Sequence, residues 1–142
     1  MSEVVEGLRE TARELAGLTS RLGTAHPAEG WSAAEVLGHL AHFEVLAGAR
    51  IRMVLTKDKP QLAAFDQEEF NRRFGDLLSP AAALALFEVN RAANCELLST
   101  LEPGDWERWG VHPMRGEETL ATTVAMLLRH DREHLDQLRA AL

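Results

Sequence analysis

WSAAEVLGHLAHFEVLAGARIRMVLTKDKP, residues 31–60, decides the fold. Ser32-Ala33-Ala34-Glu35 is a capping box: the serine oxygen and the glutamate side chain take up backbone N–H groups that the first helical turn leaves free. From there Val36, Leu40, Phe43, Ala47, Ile51 and Val54 recur at three- and four-residue steps, the spacing of one apolar helical stripe. Lys57-Asp58-Lys59-Pro60 closes the helix.

Working outward, the same spacing predicts further helices. Val4, Leu8, Leu15, Leu18 and Leu22 give a first helix from about Ser2 to Leu22, with Gly23 as its stop and residues 24–30, including Pro27, as a connector. Beyond Pro60 the stretch from Gln61 to Leu78 is looser and carries one short helix around Gln67 to Phe74. Ser79 as cap and Pro80 at the first helical position, where a missing N–H does no harm, open a third long helix. It runs to about Leu101 with Leu84, Phe87, Arg91, Cys95 and Leu98 inward, and Pro103-Gly104 breaks it. Glu102 to Glu118 reads as a long loop holding Trp106, Trp109, His112 and Pro113, and loops of that length are often functional. The last helix spans about Thr119 to Ala141, with Leu120, Val124, Leu127, Leu128, Leu135 and Leu138 as its stripe. Period-two alternation is missing, so no strands are expected. The expected class is all-α: a four-helix bundle with one short additional helix between the second and third long helices, whose long connections permit a non-standard helix order.

The 142 residues fit a single domain, residues 1–142, and 46% apolar content is enough for one core. No run approaches the roughly 18 apolar residues of a membrane span. The acidic, amphipathic start lacks the basic and apolar blocks of a signal peptide, so a cytoplasmic location is expected. Cys95 is the single cysteine, which rules out an internal disulfide and a thiolate metal cage and makes a small core residue the better reading. A net charge of -7, with Arg72-Arg73 the nearest thing to a basic patch, argues against a nucleic-acid partner.

Of six histidines, His130 and His134 are four apart on the last helix, which puts both rings on one face about a turn apart. His134 flanks the apolar stripe and His130 lies further round on the same side. On the second helix His39 also flanks its stripe, whereas His42 points toward solvent. His39 is therefore the histidine placed to face the pair. Three neutral imidazoles would hold a divalent ion and leave coordination positions open for water or substrate. The other reading, half-buried and hydrogen-bonded structural histidines, stands beside it.

Asp131 falls near the centre of an apolar stripe, where a free carboxylate is costly. It could orient a metal-bound imidazole, but the favoured reading is structural, accepting from a buried group such as Trp31 or Arg50. Arg50 and Arg91 lie on inner faces; each could clamp an anionic group, and a buried ion pair is the plainer account. Glu35 reads as the cap partner of Ser32 before it reads as a metal contact. Trp106, Trp109 and His112 are candidate pocket walls, with a surface position the plainer account of His112.

The run Trp31-Ser32-Ala33-Ala34-Glu35-Val36-Leu37-Gly38-His39-Leu40-Ala41-His42-Phe43-Glu44 resembles the opening of the DinB-like family, and Leu128-Arg129-His130-Asp131-Arg132-Glu133-His134-Leu135-Asp136-Gln137-Leu138 resembles its ending. The stretch Arg50 to Asp66 is also similar, and the order of elements matches over nearly the whole chain. The resemblance implies an up-down-down-up bundle, often a homodimer. It also implies a divalent metal, commonly nickel or zinc, on one histidine of the second helix and two of the last, here His39, His130 and His134. Members include transferases and isomerases that use low-molecular-weight thiols, and others described as metal-dependent hydrolases. The expected function is therefore a metal-dependent enzyme that activates a thiol or water against a small-molecule substrate. The alternative is a non-catalytic bundle that acts through a dimer surface.

Overall fold

The computed structural model describes residues 1–23 and 27–142; residues 24–26 of the predicted connector lie outside the described residues. Its long helices are α1 (Ser2–Thr19), α2 (Ala33–Thr56), α4 (Pro80–Ser99) and α6 (Leu120–Ala140), with the short α3 (Gln67–Phe74) and α5 (Pro103–Trp106) between them. A two-stranded hairpin, β1 (Trp109–His112) and β2 (Gly116–Thr119), precedes α6.

The starts of α2, α4 and α6 are fixed by side chains. The Ser32 oxygen accepts from Glu35 N (3.1 Å) and Glu35 reaches back to Ser32 N (3.2 Å), the capping box read from the sequence. Ser79 and Thr119 cap α4 and α6 through the side-chain oxygen alone, accepting from Ala82 N and Thr122 N. The ends are tighter than expected: α1 stops at Thr19 and α4 at Ser99, each followed by a residue in the right-handed region. On α4 the smaller Ala83 is fully buried and Leu84 only half-buried.

Two apolar clusters give the topology. Val5 and Leu8 of α1 pack with Ile51 and Val54 of α2, Cys95 and Leu98 of α4, and Val124 and Leu127 of α6. At the other end Leu15 and Leu18 pack with Val36, Leu37 and Leu40, with Ala83 and Phe87, and with Leu135 and Leu138. Numbers therefore rise in one direction along α1 and α6 and in the opposite direction along α2 and α4, which is the up-down-down-up order. Helices α1 and α2 each pack against α4 and α6. Because α2 and α4 run parallel, residues 57–79 must travel the length of the bundle, and α3 lies on that crossing.

The hairpin corrects two expectations, the absence of strands and the unstructured loop from Glu102 to Glu118. Its register pairs Trp109 with Thr119 and His112 with Gly116, whose φ of 76° closes the turn. Residues 60–62 extend it: Val111 N donates to Pro60 O (2.8 Å) and Leu62 N to Val111 O (2.9 Å). That approach needs Gly110, where a Cβ would lie 2.7 Å from Leu62 Cδ2 and 3.0 Å from Pro60 O. Among the described residues no helix is long and apolar enough to cross a membrane.

Candidate metal centre

Helices α2 and α6 run antiparallel, and their histidines meet. His39 Nε2 lies 2.9 Å from His130 Nε2. The ring centroids of His39 and His134 are 4.7 Å apart and those of His130 and His134 are 4.5 Å apart. One nitrogen from each ring falls within 4.8 Å of the others, the single such metal-compatible group among the described residues. Two imidazole nitrogens about 2.1 Å from one ion would sit about 3.4 Å apart at the tetrahedral angle and about 3.0 Å apart at a right angle. The His39–His130 separation lies at the right-angle end of that range, and a small rotation of either ring reaches the tetrahedral one. His134 Nδ1 lies 2.9 Å from Gln137 Oε1, and a proton donated there leaves Nε2 with its lone pair. His130 Nδ1 is buried without a partner among the described residues.

The protonation states agree. Burial first, and then the neighbouring rings of His130, His134 and His42, lower the His39 pKa to about 3. Burial, then His134 and Arg91, lower that of His130 to about 3. Both rings are neutral at physiological pH and keep a lone pair for a cation. Three nitrogens fill part of a coordination sphere, the pattern of a centre that keeps positions open. Aromatic side chains wall it: Phe43 stacks on His130 at 4.1 Å, and Trp31 meets His39 edge-on at 4.9 Å.

His42 is not in the group; it packs edge-on against Phe70 at 4.8 Å. Glu35 serves the cap. Asp131 turns away from the histidines, and its partners are neither Trp31 nor Arg50. It accepts from Arg91 Nη1 (2.7 Å) and Nη2 (3.1 Å) and from Thr11 Oγ1 (2.6 Å). Arg91 is 2% exposed and also grips Glu44 through Nε (2.8 Å) and Nη2 (2.7 Å), so it is an internal brace and does not line a substrate site. Burial alone would lower its pKa; the bonds and charges of Glu44 and Asp131 more than reverse this and hold it above the ordinary value. Burial raises the Cys95 thiol, consistent with its place in the core.

A cavity of about 570 Å³ opens beside His130, lined by Phe43, Gln67, Arg50, His112 and Arg115 among others. The expected walls Trp106 and Trp109 are elsewhere: Trp106 is in the core, and Lys59 Nζ sits 5.0 Å over the Trp109 ring. His112, expected at the surface, is buried, because the hairpin turns it inward. Sequence reasoning missed Phe43, Gln67, Gln137 and Arg115 as neighbours of the site. Phe43 and Gln137 had a signal, since they fall four residues after His39 and three after His134 on one helix face. Gln67 and Arg115 depend on the crossing segment and the hairpin.

Comparison with known proteins agrees with this architecture. A protein of Oceanobacillus iheyensis, named provisionally as a metal-dependent hydrolase, is 28% identical over 115 residues, 81% of this chain and 67% of its own length. One of Bacillus licheniformis, named in the same way, is 27% identical over 135 residues, 94% of this chain and 76% of its own. Among solved structures, YfiT from Bacillus subtilis, described as a probable metal-dependent hydrolase with an unusual four-helix bundle topology, superposes with a TM-score of 0.89 at 22% identity. The match covers 99% of this chain and 84% of that one. A mycothiol-dependent maleylpyruvate isomerase gives a TM-score of 0.76 at 17% identity, over 96% of this chain and 60% of the other. The sequence pattern of the DinB superfamily matches residues 3–138, and the chain belongs to that family.

Proposed function

We propose that this protein is a metal-dependent enzyme in which His39, His130 and His134 hold a divalent ion, nickel or zinc, beside a substrate cavity. The observation that carries the reading is the convergence of three imidazole nitrogens within 4.8 Å, one of them on His130 at the wall of an open cavity. A divalent ion supplies Lewis acidity, lowering the pKa of a water or thiol enough to make it a nucleophile near neutral pH. The chain's own residues do the rest. Gln137 orients His134, Phe43 and Trp31 hold the rings and limit water, and the cavity receives a small-molecule substrate.

The first reading of the reaction is transfer involving a low-molecular-weight thiol, in keeping with the family resemblance. Hydrolysis is the second, favoured by the names of the relatives that align over most of this chain. A homodimer is part of the proposal, and sedimentation of the purified protein tests it.

The test is elemental analysis of natively purified protein and of His134→Ala, followed by turnover assays with electrophiles in the presence and absence of a bacterial thiol. The expected result is one bound divalent ion per chain, lost on substitution, with turnover that requires it. Protein that takes up no ion from nickel or zinc solutions would overturn the reading. Binding and thermal stabilisation without turnover would make the centre structural.

A further inference from the structure

The end of the cavity away from the histidines is built differently from the rest of the protein. Arg50 is 6% exposed and His112 8% exposed, yet both line the cavity. The Arg50 guanidinium donates through Nε to Ala63 O (2.8 Å), and among the described residues its two Nη groups have no hydrogen-bond partner. Neither carboxylate nor carbonyl completes the fork, unlike Arg91, whose three nitrogens are all engaged. His112 Nδ1 accepts from the backbone N–H groups of Met114 (3.1 Å) and Arg115 (3.2 Å). That nitrogen therefore carries the lone pair, the ring proton is on Nε2, and Nε2–H has no acceptor among the described residues. Gln67, nearer the histidines, has a buried Oε1 without a partner. Arg50 and His112 are buried as residues while these N–H groups stay open to the cavity, so an anion entering it meets donors that no protein acceptor competes for.

The charge balance says what kind. The chain has an excess of seven acidic over basic side chains. The cavity wall carries Arg50, Arg115 and Arg129 against Glu133, and with Arg115 paired to Glu118 and Arg129 3.9 Å from Glu133, the cation left without a carboxylate is Arg50. Glu118 holds Arg115 through both oxygens (2.7 and 3.2 Å), so that carboxylate is already committed. Burial, and then Arg115, lower the Arg50 pKa, with Glu118 opposing; an unpaired cation is under strain there that an anion would relieve.

The helices set the length. His39, Phe43, Ala47 and Arg50 follow one another on one face of α2 at steps of four, four and three residues, and Thr123, Leu127 and His130 line the facing side of α6. Eleven residues of helix put Arg50 about 16 Å from His39 along the axis. Between the two ends the wall is apolar, made by Phe43, Ala47, Met126 and Leu127.

We propose that Arg50 and His112 form a carboxylate-binding subsite, so that the ligand is an elongated organic anion with its carboxylate on the Arg50 fork, an apolar body along Phe43 and Leu127, and its reacting end at His130. This deepens the metal-enzyme reading and rests on it only for what happens at the reacting end. The carboxylate has two sources, the electrophilic substrate or a carboxylate-bearing thiol. The planar fork suits a carboxylate, which it meets through two parallel N–H···O bonds.

Calorimetry of the protein in chelator, with hexanoate and hexanamide as probes, tests the subsite without any metal. Hexanoate should bind at least about tenfold more tightly than the amide, as expected of charge-assisted bonds, and Arg50→Gln should abolish the preference. Equal binding of the two by the unaltered protein would overturn the proposal, and this comparison needs no variant to fold. A preference that survives intact in a folded Arg50→Gln would also overturn it. With zinc present, a further gain for 6-mercaptohexanoate over hexanoate would assign the carboxylate to the thiol, and no gain to the electrophile. Zinc that fails to bind while hexanoate still does would end the metal reading and leave the subsite standing.

Discussion

Acidification of the metal-free protein should destabilise it through His39 and His130. In the folded chain both rings have pKa values near 3, lowered mainly by burial; unfolded, they return to 6.5. Between those values the unfolded chain binds more protons than the folded one. The contribution to stability is therefore complete above 6.5 and is lost as the pH falls toward about 3. At about pH 5 each released ring gains protonation free energy of about 2 kcal/mol, and the pair about 4 kcal/mol, a large part of a typical domain's 5–15 kcal/mol. The measurement is urea unfolding in chelator at intervals from about pH 8 to about pH 5, for the unaltered protein and for His39→Asn with His130→Asn. His42 and His112 are lowered in the same direction and persist in both proteins, so the difference between the two curves isolates the pair. Glu118, where burial raises the pKa but Arg115 and Thr123 more than reverse it, titrates below this window. The double variant should lose about 4 kcal/mol less over the range. Parallel curves would refute the claim that these rings are held neutral by the fold.

Three further outcomes follow from the geometry. Arg91→Met should cost about 3–5 kcal/mol by urea unfolding, because Glu44 and Asp131 stay buried without their cation. Gln137→Leu removes the partner of His134 Nδ1, and should weaken zinc binding about 10–100-fold by competition with a chromophoric chelator while leaving the zinc-free melting temperature unchanged. Gly110→Ala forces a Cβ against Leu62 and Pro60 O and should cost about 1–3 kcal/mol in thermal unfolding; no change would mean that the strand at 60–62 yields freely.

The long helices and the histidine group were legible in the sequence because both follow one rule, a 3.6-residue period that fixes which side chains share a face. Val36 to Val54 and Leu120 to Leu138 state it directly, and His39, His130 and His134 fall on the flanks that antiparallel packing brings together. The hairpin was not legible. Trp109–His112 has four residues, too few for alternation to register, and its stability comes from Pro60 and Leu62, nearly fifty residues earlier. That miss carried the cavity with it: His112 and Glu118 face inward because of strand pairing that local sequence does not announce, and Glu118 holds the exposed Arg115 of the turn at the cavity's edge. Arg50 and Arg91 looked alike on their helices. Their different fates, one unpaired at a cavity and one gripped by two carboxylates, depend on partners from other elements.

The charged cluster and the histidines occupy one level of the bundle, and that placement has a consequence. His130 and Asp131 are neighbours on α6, turned about 100° apart, so one faces the site and the other Arg91. On α2, Glu44 follows His39 by five residues, about 7.5 Å along the axis. Arg91 ties α2 through Glu44 to α6 through Asp131, and bonds Leu8 O and Thr11 of α1 as well. A buried ion pair is a poor net stabiliser, and apolar residues of similar volume often do as well. An apolar layer, however, tolerates repacking, and a slip of α2 past α6 by one turn moves His39 about 5.4 Å from His130. Metal–nitrogen bonds of about 2 Å do not span that displacement. Our hypothesis is that the cluster is kept for the register it imposes. Replacing it together, Arg91→Met with Glu44→Leu and Asp131→Leu, should leave a folded protein of comparable stability whose zinc affinity falls at least tenfold; undiminished affinity in that variant would show that apolar packing alone sets the histidine spacing.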